Sequence, residues 1–192
     1  MFRVSSRESL IESTRALLWE RGYVGTSPKA IQQRAGAGQG SMYHHFSGKE
    51  ELALAAIQRS AELLRQAAEE QLSTEATAYA RIEAFLRRER DVLRGCPIGR
   101  LTQDPDVMAT PALRAPVEET FAWLRGRLTA VLREGLERGE FPGTLDPATT
   151  ALTIVAVMQG AYVLARADDS PQRFDEAVTG ILGLLAAHSR TE

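Results

Sequence analysis

Apolar residues recur along most of the chain at the three- and four-residue spacing of an α-helix. Leu10, Ile11, Leu17 and Leu18 form the first such stripe, which would face a core from one side of a helix. No stretch combines sustained apolar–polar alternation with the β-branched enrichment of a strand. The pattern therefore predicts an all-α protein of about nine helices.

Capping residues and glycines mark where the helices of the first half should begin and end. Ser5 lies three residues before Glu8, which is the spacing of a capping box. Ser27 followed by Pro28 is a favoured helix start, and a glycine follows each of the first two helices. The expected helices of this half cover residues 5–21, 27–35, 41–46 and 47–71.

The apolar spacing in the second half of the chain predicts five more helices, one of them short. A segment with three prolines, GCPIGRLTQDPDVMATP, interrupts the helical pattern and leaves room for one short helix only. The longer helices expected on either side cover residues 76–93, 113–138, 147–167 and 171–188.

Residues 30–46, AIQQRAGAGQGSMYHHF, form two short helical patterns around a glycine-rich turn, which is the pattern of a helix-turn-helix. The second helix of such a unit can lie in the DNA major groove with its first residues at the base edges. Gln39 and Ser41 carry groups that hydrogen-bond to bases, and Gly40 allows a close backbone approach. Short helix pairs with glycine turns also occur in ordinary helical cores, so the pattern alone leaves both interpretations open.

Phosphate contacts are expected around these base-reading positions. Some of the residues concerned begin a helix, where the N-terminus carries partial positive charge, and the others end the short helix. The candidate phosphate-binding residues are Thr26, Ser27, Lys29, Tyr43, His44, His45 and Lys49.

The longer stretch GTSPKAIQQRAGAGQGSMYHHFSGKEEL resembles the DNA-binding domain of the TetR family of bacterial transcriptional regulators. The matching positions are Thr26, Ile31, Ala35, Gly36, Gly40, Tyr43, His45, Phe46, Lys49 and Leu52. Ala37 and Gly38 depart from the family's usual Val and Ser, and Gln39 stands where Lys is frequent. The sequence match covers residues 5–55, and beyond them the resemblance lies in helix number and length.

This resemblance implies an N-terminal three-helix domain over residues 1–50, joined by a long helix to a C-terminal effector-binding and dimerisation domain over residues 51–192. It also implies that Gln39, Gly40 and Ser41 face bases. The implied partners are double-stranded operator DNA, a small and largely apolar effector, and a second copy of the chain.

The same resemblance places an effector cavity among the C-terminal helices, where aromatic and sulfur-containing side chains are frequent. Ordinary core packing is the alternative interpretation of each of them. Cys96 lies in a GCPIG turn similar to that of a subset of the family, yet a small apolar residue also suits packing there. The candidate effector-binding residues are Phe85, Cys96, Met108, Phe121, Trp123, Met158, Gln159 and Tyr162.

The last two helices are apolar on nearly every side, and a helix apolar all round is buried all round. A domain this small cannot bury both helices by itself, so we expect a homodimer in which they pack against a second copy. Small residues would let these helices approach closely, and they are Ala156, Gly160, Ala161, Ala165, Gly180, Gly183 and Ala187.

Charge and composition narrow the remaining classes of function. The net charge is −2, but residues 1–60 hold eight basic against five acidic residues, so the N-terminal part is the basic one. A single cysteine excludes an intrachain disulfide. We expect a cytoplasmic protein outside the membrane, because the longest apolar run is short for a membrane span.

We expect no metal, no cofactor and no enzymatic activity. His44 and His45 are neighbours on a helix and point about 100° apart, so they cannot readily share an ion. No glycine-rich phosphate loop, nucleophile elbow or carboxylate pair stands out.

These patterns together predict a ligand-responsive transcriptional regulator, with a repressor released from a palindromic operator favoured. The alternative is a helical small-molecule-binding protein that does not bind an operator, which the departures at Gly38 and Gln39 would favour. An enzyme on a helical scaffold is a more remote third.

Overall fold

The computed structural model describes residues 5–187, and these residues form nine α-helices, one 3₁₀-helix and no strand. The predicted all-α class is confirmed. The α-helices are α1 (Ser6–Arg21), α2 (Pro28–Ala35), α3 (Gln39–His45), α4 (Lys49–Leu72), α5 (Ala78–Arg87), α6 (Pro105–Ala109), α7 (Pro111–Glu137), α8 (Pro147–Ala167) and α9 (Gln172–Ala187). The 3₁₀-helix covers Gly99–Gln103.

Side-chain caps fix the helix starts that the sequence predicted. The Ser5 hydroxyl accepts a hydrogen bond from the Glu8 amide at 3.2 Å, and the Ser27 hydroxyl accepts one from the Ala30 amide at 3.2 Å. Each cap satisfies an amide that has no partner inside its helix. Gly36 ends α2 in the left-handed conformation, with φ at 61°.

The clearest differences from the predicted helix boundaries concern α3 and α5. Helix α3 begins at Gln39 rather than Ser41. The end predicted for the last helix, His188, lies outside the described residues and stays a prediction. Helix α5 ends at Arg87 instead of continuing to residue 93. The physical reason is a side chain, because Arg90 Nη2 donates to the Phe85 carbonyl at 2.6 Å and thereby takes over an acceptor of the last turn of α5.

Contacts between residues divide the chain into two compact units. The first unit consists of the chain up to Leu64 together with Cys96–Thr120. The second unit consists of Arg65–Gly95 together with the chain from Phe121 onward. The division therefore falls inside α4 and α7. This division concerns compact units only, so the domain boundary expected after residue 50 stays a prediction.

A small apolar core holds the helix-turn-helix of the first unit together. Helix α1 packs against α2 and α3, and Leu17, Ile31 and Phe46 are each at most 3% exposed. Ala35 is half-buried against the same core. The cluster consists of Leu10, Ile11, Leu17, Ile31, Met42, Phe46 and Leu52.

A buried carboxylate attaches residues 96–120 to the turn between α1 and α2. Asp104 Oδ2 accepts hydrogen bonds from the amides of Tyr23 at 2.6 Å and Val24 at 3.0 Å. Asp104 Oδ1 accepts from the Val107 amide at 3.3 Å and so caps α6. The residue is 8% exposed, and hydrogen bonds to a buried charged acceptor are among the stronger ones in proteins.

The second unit is built around a packed pair of helices, α8 and α9, with α5 against α9. Arg81, only 4% exposed, is satisfied inside this unit, because its Nε donates to the Leu72 carbonyl at 2.7 Å and its Nη1 pairs with Glu134 at 2.6 Å. Gly135 has no space for a side chain, since an added Cβ would lie 2.6 Å from Phe141 Cε2.

Helix α8 is long and apolar enough, by length and composition alone, to cross a membrane. The longest apolar run of the sequence is short for a membrane span, but the helix that contains it extends over 21 residues. One face of α8 is buried among the residues of its own unit, including Ile154 and Met158. A packed helix of this kind passes the same test, so its apolar composition is weak evidence for a membrane.

Replacing Gly22 is expected to destabilise the protein. Gly22 has φ 73° and ψ −178°, a region that costs other residues about 1–3 kcal/mol. An added Cβ would also lie 2.7 Å from Asp104 Oδ2. Thermal unfolding at a fixed protein concentration should therefore give a lower Tm for Gly22→Ala. The matched control is Gly126→Ala in α7, where nothing lies within 4 Å, and equal Tm values for the two variants would contradict this account.

Candidate nucleic-acid interface

Helix α3 presents most of its predicted base-reading surface to solvent. Gln39 and Gly40 are exposed and Ser41 is half-exposed, all in the first turn. Tyr43 is 52% exposed, although an aromatic ring of this size usually finds cover. Because Met42 on the opposite face is fully buried, the orientation of the helix is fixed by packing and its polar face points away from the core.

Neither backbone conformation nor packing among the described residues requires glycine at position 38 or 40. Gly38 has an ordinary φ of −71°, and Gly40 lies inside a helix, where glycine costs about 0.5–1 kcal/mol relative to alanine. A Cβ added at either position would meet nothing within 4 Å. The open space above the first turn of α3 therefore suits the close approach of another molecule.

The three candidates at the start of α2 differ in accessibility. Ser27 and Lys29 are exposed. Thr26, in contrast, is 1% exposed and its hydroxyl donates to the Gly22 carbonyl at 2.6 Å. The phosphate contact predicted for the Thr26 hydroxyl is thus not available in this structure, because the group already closes the α1–α2 turn.

His44 and His45 end α3 in different environments. His44 is exposed, whereas His45 is half-buried and its Nε2 lies 2.8 Å from the Ser6 hydroxyl at the start of α1. The rings of His44 and His45 meet edge to face with centroids 4.9 Å apart. His45 thus also connects α3 to α1.

Lys49 points inward rather than toward solvent. Its Nζ donates to the Tyr23 carbonyl at 2.7 Å and lies 3.7 Å from the centroid of the Tyr23 ring. Burial lowers the pKa of Lys49, and the carboxylates of Asp104 and Asp106 act in the opposite direction. Burial, followed by Glu50, raises the pKa of Tyr23. A phosphate contact from Lys49 would require the ammonium to leave this position.

The start of α4 already holds a carboxylate. Glu51 Oε2 accepts hydrogen bonds from the Ser47 amide at 2.7 Å and from the Ser47 hydroxyl at 2.8 Å. These bonds, the backbone one first, lower the pKa of Glu51. Glu51 therefore places negative charge beside the start of α4, which opposes the phosphate contact predicted there.

The structure brings together only part of the predicted effector-binding set. Phe85, Met158 and Tyr162 are buried and all contact Arg90. Gln159 follows Met158 on α8, and its Nε2 is buried without a hydrogen-bond partner among the described residues. The other members do not join this group: Cys96 is buried, and Met108, Phe121 and Trp123 are half-buried.

The small residues of the predicted dimer interface lie on two different faces. Ala161 and Ala165 are 1% and 0% exposed, so they pack inside the protomer and are removed from the predicted interface. The outward-facing members are Ala156, Gly160, Gly180, Gly183 and Ala187. Large apolar side chains more than half exposed accompany them on the same two helices, namely Leu152, Val163, Leu164 and Leu184.

A half-open groove of about 330 Å³ lies between the start of α8 and the end of α9. Thr149 and Leu184 are among its lining residues, and none of the predicted effector-binding residues is. No group of three or more His, Cys, Asp or Glu side chains within residues 5–187 is arranged to hold a metal ion.

Sequence reasoning missed two residues, Asp104 and Arg90. Asp104 precedes Pro105, a helix-start signal like that of Ser27 and Pro28, which could have predicted the α6 cap but not the distant amides it also binds. Arg90 gave no signal, since a helix was expected to continue through it.

The helices and the exposed face of α3 define a helix-turn-helix protein with an all-α second unit. Residues 10–56 match the family described as bacterial regulatory proteins, tetR family. Residues 76–181 match the tetracyclin repressor-like C-terminal domain. The chain belongs to the TetR family of bacterial regulatory proteins, as its resemblance suggested.

Individual relatives agree with this assignment. The chain is 30% identical over 125 residues to the HTH-type transcriptional regulator LmrA of Bacillus subtilis. The aligned residues are 62% of this chain and 66% of LmrA, so the chain spans just under two thirds of that protein. It is 25% identical over 192 residues to the HTH-type transcriptional repressor DhaR of Mycobacterium sp., covering 96% of this chain and 94% of DhaR.

Among solved structures, a TetR transcriptional regulator from Chloroflexus aurantiacus superposes with a TM-score of 0.85. It is 29% identical in sequence, and the match covers 97% of each chain.

Gly40→Ala should separate fold stability from DNA binding. The variant is expected to keep or raise Tm, because alanine is favoured in a helix by about 0.5–1 kcal/mol and a Cβ there meets nothing. Operator affinity should fall several-fold, because the methyl group would occupy the space above the first turn of α3. Fluorescence anisotropy with the promoter DNA beside the protein's own gene measures this, with Gly126→Ala as the control. Wild-type affinity for Gly40→Ala would show that the open glycine has another role.

Proposed function

We propose that this protein is a ligand-responsive transcriptional repressor that binds a palindromic operator as a homodimer in the bacterial cytoplasm. The observation that carries the proposal is the first turn of α3, where Gln39 and Ser41 flank a glycine over open space. Amide and hydroxyl groups at the start of a recognition helix are suited to base edges in the major groove. Membership of the TetR family supports the same role. Similarity to DhaR, which is named a transcriptional repressor, supports repression rather than activation of transcription.

The proposed dimer forms through the outward faces of α8 and α9. Exposed apolar side chains such as Leu152 and Leu184 would be buried there, which is the expected fate of a contiguous apolar patch. Gly160 and Gly183 are exposed, with space where a Cβ would stand, so a second copy could approach the helix backbones closely. Two-fold symmetry of the dimer then demands a two-fold symmetric operator.

The proposed control runs through the segment 96–120. Because Asp104 binds the amides of Tyr23 and Val24, a displacement of this segment would pull on the α1–α2 turn and so on the helix-turn-helix. An effector changes operator affinity only by its preference for one of two dimer shapes. Typical couplings of about 1–3 kcal/mol correspond to a roughly 5- to 150-fold change.

Operator recognition should divide into a base-reading and a phosphate-binding part. Gln39→Ala is expected to relax preference at one base pair per half-site, with a loss of about 1–3 kcal/mol there. Exposed Lys29 is the better phosphate probe, since Lys49 is turned inward. Lys29→Ala should weaken binding to all sequences alike and reduce the salt slope by about 1.

Selection from random DNA and anisotropy over a range of salt concentrations measure these two effects. Unchanged base preference in Gln39→Ala would contradict the assignment of the base-reading residue. Absence of binding to any double-stranded site, together with binding of a small molecule, would instead favour the helical small-molecule-binding protein.

Gly183→Leu should break the proposed dimer. A large side chain would force α9 away from its partner helices, and overpacking of this kind costs about 1–3 kcal/mol. Size-exclusion chromatography with light scattering should show a dimer for the wild type and a monomer or aggregate for the variant. Gly126→Leu, at another open helical glycine, should remain a dimer. A wild-type protein that is monomeric at micromolar concentration would contradict the proposal.

A further inference from the structure

The second unit holds a guanidinium that forms no ion pair with any described carboxylate. Arg90 lies in the loop after α5 and is half-buried. Its neighbours in sequence, Glu89 and Asp91, are exposed, and none of the ion pairs within residues 5–187 includes Arg90. Half-buried arginine is common, but one enclosed by apolar groups is usually paired with an anion.

Three neutral carbonyls hold one side of this guanidinium in place. Nη2 donates to the carbonyls of Phe85 at 2.6 Å and Leu86 at 2.9 Å, and Nε donates to the carbonyl of Arg88 at 3.1 Å. The plane of the group is thereby fixed before any ligand arrives. Such preorganisation reduces the entropy lost when a guanidinium binds an anion.

The opposite side, at Nη1, has only weak partners. Nη1 lies 3.4 Å from Met158 Sδ and 3.3 Å from the Tyr162 hydroxyl. A thioether sulfur is a poor acceptor, and 3.3 Å is long for a bond from a charged donor. A carboxylate oxygen would be a much better partner for this edge than either group.

The surroundings favour an anion that carries an apolar body. The guanidinium carbon lies 5.0 Å from the ring centroid of Phe174 and 6.0 Å from that of Phe85. The rings of Tyr162 and Phe174 pack with centroids 4.7 Å apart. An ion pair is stronger among such low-dielectric groups than in water.

A second donor lies on α8, in sequence between the two residues of that helix that contact Arg90. Gln159 comes directly after Met158 and one turn before Tyr162, and its Nε2 is buried with no acceptor among the described residues. A buried amide donor without an acceptor is unfavourable, so this group would gain from a ligand oxygen. A carboxylate has two oxygens and could accept from both Arg90 and Gln159.

We propose that Arg90, assisted by Gln159, binds the carboxylate of the effector, so that the effectors of this protein are organic carboxylates with an apolar body. The inference rests on the proposed function, since it names the chemical class of the proposed effector. It adds an anionic group to the largely apolar molecule expected from the sequence.

The test uses straight-chain and phenyl-substituted carboxylates of graded length, each compared with its own primary amide. Thermal unfolding and calorimetric titration of the wild-type protein measure binding. Members of the carboxylate set should raise Tm and bind roughly tenfold or more tightly than the matched amides. Amides that bind as tightly as their carboxylates, or a carboxylate set that leaves Tm unchanged, would overturn the proposal.

Variants identify the residues responsible. Arg90→Gln should lose the preference for carboxylate over amide. The matched control is Arg87→Gln, which should keep this preference, because Arg87 is exposed at the end of α5 and pairs with Glu83. Because Arg90 also caps α5, its variant could unfold. Gln159→Leu provides the second test, since it removes a donor without a partner and should weaken carboxylate binding at an unchanged or higher Tm. Full carboxylate selectivity in Gln159→Leu and in any folded Arg90→Gln would overturn the assignment.

Operator release separates this inference from the proposed function. A neutral compound that releases operator DNA while carboxylates do not would leave the regulator intact and overturn the carboxylate site. A protein that selects carboxylates yet binds no operator would leave the site intact and contradict the regulator.

Discussion

The hydrogen bonds from the Tyr23 and Val24 amides to the Asp104 carboxylate determine how the first unit is assembled. They attach residues 96–120 to a helix-turn-helix that is otherwise built from residues near one another in sequence. The same contact explains why position 22 is glycine, since any Cβ would meet the carboxylate. It also places negative charge near Lys49, whose ammonium binds the Tyr23 carbonyl. The turn between α1 and α2 is therefore held by a residue that lies outside the helix-turn-helix.

Local sequence signals predicted the parts of the structure that depend on neighbouring residues. Ser5, Ser27 and Gly36 marked real helix ends, because a cap or a left-handed glycine acts within one turn. The partners of Asp104 could not be predicted in this way, since Tyr23 is 81 residues distant. The end of α5 was also missed, because an arginine side chain beyond the helix supplies its final donors.

The candidate sites show the same division between local and distant information. The exposure of Gln39 and the burial of Met42 follow from the spacing of residues on α3. On α8 the composition is apolar on both faces, so the sequence could not tell inward Ala161 from outward Gly160. Met158 and Tyr162, which the sequence predicted as effector candidates, both contact Arg90. Arg90 itself carried no sequence signal, because a helix was expected to continue through it.

The most direct measurement is the operator affinity of Asp104→Asn beside that of Asp106→Asn, an exposed neighbour on α6. Loss of the Asp104 charge weakens hydrogen bonds of about 1.5–3 kcal/mol each, which should release the segment from the α1–α2 turn. We expect both variants to remain folded dimers. Asp106→Asn should bind the operator like the wild type, and Asp104→Asn should bind it roughly tenfold or more weakly. Wild-type operator affinity in a folded Asp104→Asn dimer would contradict the account.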